Sequence, residues 1–204
     1  MQSVQVLTGA FDRKPLVAKK PIDDCELLDR VADSDKLAIQ VLFSRHKVRV
    51  FRFVQRMVKD EALAEDIVSD VFFDVWRNAG QFEGNSQVAT WILAIARFKT
   101  LSLLRRRRDD ALDDATAEAI PDTADDPEAA VQKTDRGAIL RDCIGRLSRT
   151  HREIVDLVYY HEMSIDEAAE IVGIPSNTVK TRMFNARKRL SELLRKAGVD
   201  RTYQ

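Results

Sequence analysis

The sequence predicts an all-α protein made of two small helical domains joined by a flexible acidic linker, and three observations carry that prediction. First, the 204 residues include only seven glycines and five prolines, few of them inside periodic segments, so apolar residues recur at three- and four-residue steps over long stretches. Second, charge is sorted along the chain. Lys plus Arg and Asp plus Glu number 33 each, yet residues 105–108 are four consecutive arginines and Asp109 to Glu128 holds nine acids with no Lys or Arg. Such a segment, with Pro121 and Pro127 in it, cannot build a core and reads as a spacer. Third, Ser164 to Leu194 spells two short helical patterns joined by a glycine-proline turn. The boundaries that follow are an N-terminal extension over 1–22, a helical domain over 23–108, the acidic linker over 109–134 and a second helical domain over 135–204.

Residues 1–22 mix charges with Pro15 and Pro21 and show no period. Helical pattern begins with a short helix through Asp24 to Ala32. Ser34 is the expected cap of a longer one carrying Leu37, Val41, Leu42, Val48, Phe51, Val54 and Val58. Asp60 starts a third helix, whose core stripe is Leu63, Ile67, Val71, Phe72, Val75 and Trp76. Its other faces hold Asp66, Ser69, Asp70, Phe73 and Asp74. A phenylalanine beside a row of acids belongs either to a partner interface or to a slightly wide apolar face.

A polar loop follows, Gly80 to Ala89, and Thr90 is the expected cap of a helix through Trp91, Ile92, Ile95, Ala96, Leu101 and Leu104 into the arginine run. Aromatic rings and cations interleave there. Trp91, Phe98, Arg97, Lys99 and Arg105 to Arg108 offer stacking faces and phosphate partners, the chemistry of unpaired-strand binding. Trp91, at the start of an amphipathic helix, also reads as a core residue. Four like charges in one turn repel each other, and a polyanion or the following acidic segment relieves them.

In the C-terminal domain, Ser164 and Glu167 form a capping-box pattern, Gly173 stops the helix, and Ile174-Pro175 leads to Ser176 as a second cap candidate. The next helix runs from Asn177 to about Lys196 with Val179, Met183, Ala186, Leu190, Leu193 and Leu194 on one stripe. Lys180, Thr181, Arg182, Asn185, Arg187, Lys188 and Arg189 fall on its other faces. Two helices, a tight turn, small Ala168 and Ala169 at the crossing and cations confined to the second helix read as a DNA-binding helix-turn-helix.

Other classes are disfavoured. The chain holds neither a glycine-rich phosphate loop nor metal-spaced His and Cys residues, so no enzyme, metal or cofactor is expected. Cys25 and Cys143 are expected as reduced, buried, small apolar residues. The sequence offers no membrane span or signal peptide, so a cytoplasmic protein without membrane insertion is expected.

The order Asp66-Ile67-Val68-Ser69-Asp70-Val71-Phe72-Phe73-Asp74-Val75-Trp76, then Phe82-Glu83-Gly84-Asn85-Ser86, Thr90-Trp91-Ile92, Ile95-Ala96-Arg97 and the arginine run, resembles conserved region 2 of bacterial sigma factors. Residues 137–194 resemble region 4, and the whole is similar to the extracytoplasmic-function (ECF) group. The resemblance implies three surfaces. Asp66, Ser69, Asp70 and Phe73 would dock core RNA polymerase. Gly84, Asn85, Ser86, Thr90, Trp91, Arg97, Phe98, Lys99, Arg105 and Arg106 would open and hold the minus-10 element of promoter DNA. Asn177, Lys180, Thr181, Phe184 and Asn185 would face the minus-35 groove, with Arg182, Arg187 and Lys188 on the backbone and Ser176 near a phosphate. The resemblance further implies an alternative sigma factor of the stress-response kind, its two domains able to fold against each other and conceal their DNA faces under an anti-sigma factor. It also implies a linker whose acids thread the polymerase. Phe98, Ser102 and Val88 stand where many relatives carry Asn, Asp and Phe, which separates this chain from their promoter preferences. The competing readings are a helix-turn-helix repressor or activator and a sigma-mimicking antagonist of an anti-sigma factor.

Overall fold

A computed structural model describes residues 22–113 and 135–199. The first 21 residues and 114–134 lie outside the described residues, and with them most of the acidic linker and its expected role. Among the described residues there are eight α-helices and no strand, so the all-α prediction holds.

The N-terminal domain is a four-helix bundle of α1 (Asp24–Ala32), α2 (Lys36–Val58), α3 (Glu61–Asn78) and α4 (Val88–Asp113). Its core gathers Leu27, Leu28, Leu42, Phe53, Val54, Ile67, Val71, Ile92 and Leu93, all essentially without solvent contact. Truncating a ring such as Phe53 in this setting costs about 3–5 kcal/mol, because the surrounding helices close only partly over the void. The helix starts follow capping chemistry: Asp23 caps α1, and the Asp60 carboxylate accepts the Leu63 N–H at 3.0 Å to start α3.

Three expected caps are corrected. Ser34 does not cap α2, since its backbone sits at φ 68° in the left-handed region. Asp35 does so instead, accepting from the Leu37 and Ala38 N–H groups at 2.8 and 3.3 Å while Arg30 clamps its other oxygen at 2.6 Å. Thr90 lies inside α4, which begins at Val88, and is fully buried. Ser176 is the first residue of its helix with Pro175 at the cap position, and its hydroxyl donates to Asp166 at 2.6 Å. Only at α2 does a neighbouring side chain take the role; α8 starts after Pro175 with no side-chain cap.

The C-terminal domain contains α5 (Asp135–Gly145), α6 (Arg149–Val155), α7 (Ile165–Val172) and α8 (Ser176–Lys196), with a single π-helical segment, Asp156–Tyr160, continuing α6. Its core is Cys143, Leu147, Ile154, Leu157, Ala168, Ile171, Val179, Met183 and Ala186. The predicted capping box is present: Ser164 accepts from the Glu167 N–H, and Glu167 accepts from the Ser164 N–H at 2.8 Å. Gly173 ends α7 at φ 71°, a conformation that strains any residue with a Cβ. Cys143 is buried as expected, but Cys25 is exposed on α1, because the three buried residues of that helix are Leu27, Leu28 and Val31 and Cys25 falls off their face. α4 continues through Asp113, five residues into the segment read as linker. No described helix is long and apolar enough to cross a membrane.

Candidate polymerase and promoter interfaces

On α3, Asp66, Ser69, Asp70 and Phe73 follow steps of three, one and three residues, which places them on one face. All four are exposed. Phe73 is 59% exposed, its ring partnered by the Arg77 guanidinium 5.7 Å from the centroid, so it does not belong to a widened core stripe. Phe72, one residue earlier and about 100° around the helix, is buried edge-on against Phe43.

The ten residues expected at the minus-10 element do not share a face. Gly84 forms the loop tip at φ 71° with nothing near its missing Cβ, and Asn85 donates to Glu83 at 2.8 Å. Ser86 is half-buried. Along α4, Trp91, Phe98 and Arg105 recur every seven residues and form one stripe. Trp91 is half-buried against Phe82 at 5.4 Å, whereas Phe98 is 72% exposed and Arg105 and Arg106 are open to solvent. Thr90 and Arg97 also lie seven apart, but each precedes its neighbour by about 100° of helical turn, and their stripe is covered. Lys99 points elsewhere again, paired with Asp74 of α3 at 2.8 Å.

What covers Thr90 and Arg97 is the C-terminal domain. Thr90 donates to Glu167 of α7 at 3.3 Å, and Arg97 donates to both oxygens of Glu153 on α6 at 2.6 and 3.4 Å. Further along the same seam, Arg49 of α2 donates to the His161 carbonyl at 3.1 Å, and Arg56 is ion-paired with Asp156 and stacked 3.9 Å from the centre of the Tyr160 ring. His161 fills the remaining gap, buried and edge-on to Phe53 at 5.5 Å. Its pKa falls to about 4, because burial and then the guanidinium groups of Arg56, Arg49 and Arg52 disfavour the imidazolium. The Asp156 carboxylate 3.4 Å away does not reverse this, since Arg56 already takes its charge. Glu167 is held ionised below its ordinary pKa by hydrogen bonds from the Ser164 side chain and N–H, and further by Thr90.

On α8 the predicted division of faces is present. Val179, Met183 and Ala186 are buried, while Asn177, Lys180, Thr181, Phe184, Asn185, Arg187 and Lys188 are exposed. Phe184 is 68% exposed in the middle of that surface. Arg182 and Ser176 are half-buried at its edge. Arg187 donates through Nε to the Tyr159 hydroxyl at 3.0 Å.

Tyr159, Arg49, Arg56, Glu153, Asp156 and the inward role of Glu167 are absent from the sequence reading. No local signal marks them, because their partners stand 28 to 112 positions away. One trace exists: α2 contains six cations and no acid, an imbalance that asks for an external anion.

Residues 42–109 match the Sigma-70 region 2 family and residues 137–190 match Sigma-70, region 4. The RNA polymerase sigma factor CarQ of Myxococcus xanthus is 31% identical over 170 residues, covering 82% of this chain and 95% of that protein. The ECF RNA polymerase sigma factor SigK of Mycobacterium sp. (strain JLS) is 26% identical over 171 residues, covering 82% and 89%. Among solved structures, CnrH in complex with the cytosolic domain of CnrY is similar at 26% identity and a TM-score of 0.62, covering 85% of this chain and 97% of that one. The fold is also that of the sigma factor RpoE from Bartonella quintana, at 24% identity, a TM-score of 0.62, and coverage of 76% and 96%. Two helical domains in this order, each matching its own sigma region, and a relative aligned over nearly its whole length place the chain in the sigma-70 family, as an ECF RNA polymerase sigma factor.

Proposed function

We propose that this sigma factor docks core RNA polymerase through Asp66, Ser69, Asp70 and Phe73, and reads a promoter at two points. Its α8 surface, from Ser176 and Asn177 through Lys188, takes the minus-35 duplex. The Gly84–Ser86 loop and the α4 residues Thr90, Trp91, Arg97, Phe98, Lys99, Arg105 and Arg106 take the opened minus-10 strand. The observation that carries the reading is the pair of exposed rings on otherwise polar, cation-lined faces, Phe98 on α4 and Phe184 on α8. Water tolerates such rings poorly, and bases or thymine methyl groups are suited partners. Cations on the same faces supply sequence-independent affinity, and base contacts supply choice. Stacking on Phe98 offsets part of the few kcal/mol per step that unstacking a duplex costs.

The work is binding rather than catalysis, and its place is the cytoplasm, where polymerase and chromosome are. RpoE is seen with the anti-sigma factor NepR, and the reading extends a restraint of that kind to this chain. Run-off transcription with purified core polymerase on a promoter library tests the proposal. A specific transcript that depends on both proteins is expected. Its absence would overturn the reading, and tight sequence-specific DNA binding without core would favour a repressor.

A further inference from the structure

Two consecutive tyrosines, Tyr159 and Tyr160, end the π-helical turn after α6, and each meets an arginine. The turn is wider than an α-helical one, with the His161 N–H bonded five residues back to the Asp156 carbonyl at 3.1 Å, and turns of this kind recur at functional sites. Tyr160 lies against Arg56 of α2, whose charge is balanced by Asp156. Tyr159 lies against Arg187 of α8, and among the described residues no carboxylate joins that pair. The single acid of α8, Glu192, is taken by Arg189 at 3.3 Å. Arg187 Nε donates to the Tyr159 hydroxyl at 3.0 Å, so both Nη groups stay free and the hydroxyl, having accepted, keeps its own hydrogen for a further acceptor. Both side chains are exposed.

Free donors around a positive charge without a counter-ion suit an anion with several acceptor oxygens, and the guanidinium fork matches a phosphate. The position of the pair names the phosphate. Lys180, Phe184 and Arg187 follow steps of four and three residues, so Arg187 and Tyr159 stand at one end of the exposed α8 stripe assigned above to the minus-35 duplex, the reading on which this inference rests. We propose that Tyr159 and Arg187 form one clamp for a backbone phosphate of that duplex, which makes Tyr159 a DNA-contacting residue outside the two helices of the helix-turn-helix. The hydroxyl fixes the guanidinium through Nε and donates its own hydrogen to a phosphate oxygen, while the Nη groups donate to the same phosphate. Holding the long arginine in place before DNA arrives reduces the side-chain freedom lost on binding. A phosphate carries no sequence, so the clamp sets register and affinity and leaves base choice to the N-terminal part of α8.

Full-length protein titrated against two short fluorescein-labelled duplexes of unrelated sequence, read by anisotropy over a salt series, tests this. Tyr159→Phe removes only the hydroxyl and is expected to weaken binding to both duplexes by about threefold, with the denaturant midpoint unchanged. Arg187→Gln should lower the slope of log affinity against log salt by about 0.9, the share of one phosphate contact. In the Arg187→Gln background Tyr159→Phe should cost less than about 1.5-fold, because the two side chains act on one phosphate. Tyr160→Phe, the same change one residue on, is expected to leave affinity unaltered. No loss with Tyr159→Phe, an equal loss with Tyr160→Phe, a loss on one duplex alone, a loss matched by a lower denaturant midpoint, an unchanged slope in Arg187→Gln, or full additivity of the two changes would overturn the clamp. Run-off transcription by the unaltered chain, measured alongside, keeps the two claims apart: its failure overturns the sigma reading, whereas the duplex titrations need no polymerase and decide the clamp.

Discussion

Phe73 contributes little to the fold, because its ring is mostly in water. Phe73→Ala is therefore expected to leave thermal stability within about 0.5 kcal/mol of the unaltered protein. The same change should weaken core polymerase binding by roughly 2 kcal/mol if the ring is a buried anchor of that interface. Equal affinity of the two proteins for core in a pull-down titration would remove Phe73 from the docking surface. His161 acts on stability instead. Its folded pKa of about 4 lies below the 6.5 of a free imidazole, so as pH falls the unfolded chain takes up the proton first. The stability it contributes is complete above about pH 6.5 and is lost as pH falls toward 4. Denaturant midpoints followed over that window should decline more steeply in the unaltered protein than in His161→Gln. Parallel profiles would show that the ring is not held neutral.

At the scale of the element, the start of α7 and the outer face of α8 make separable predictions. Ser164→Ala removes one half of the capping box, leaving the Glu167 N–H without its acceptor, and should destabilise the protein by about 1 kcal/mol in denaturant unfolding. Lys180→Ala leaves the helix intact, since the side chain is exposed and lies off the buried stripe of Val179 and Met183. It should lower affinity for minus-35 duplex and reduce the slope of log affinity against log salt by about 0.9, the share of one phosphate contact. An unchanged slope would place Lys180 away from the backbone. Both helices were legible in sequence because their determinants are local: a Ser-x-x-Glu start, a glycine at a left-handed stop, and apolar residues at helical spacing. Of the misplaced caps, Ser34 lost to the adjacent Asp35, whereas Thr90 lies two residues inside its helix and Ser176 is the first residue of its own. Arg30 holds the other oxygen of Asp35, and the Thr90 and Ser176 hydroxyls are turned instead to Glu167 and Asp166 on another helix.

At the scale of the whole molecule, the seam joins partly exposed ion pairs to apolar contacts along α4 and α7. Salt weakens the first and leaves the second. The radius of gyration from small-angle scattering should increase from low to high salt in the unaltered protein. In the Glu153→Gln, Glu167→Gln protein it should be larger at low salt and less responsive. A radius independent of salt in both would mean that the ion pairs do not hold the domains together.

The sequence by itself determined the helical class, the two-domain order, the helix-turn-helix with its buried and exposed faces, and the exposed acidic face of α3. The domain order follows from the sorting of charge along the chain, and the rest from residue spacing within one helix, where 3.6 residues per turn fixes which side chains are neighbours. Only the tertiary structure decided which of the residues expected to face the promoter are free. Thr90 and Trp91, or Arg97 and Phe98, are adjacent in sequence and similar in chemical promise, yet one of each pair is hydrogen-bonded to Glu167 or Glu153 while its neighbour is not. The covering acids lie 56 to 77 positions downstream. No spacing rule reaches that far, and only packing one domain on the other brings the charges together.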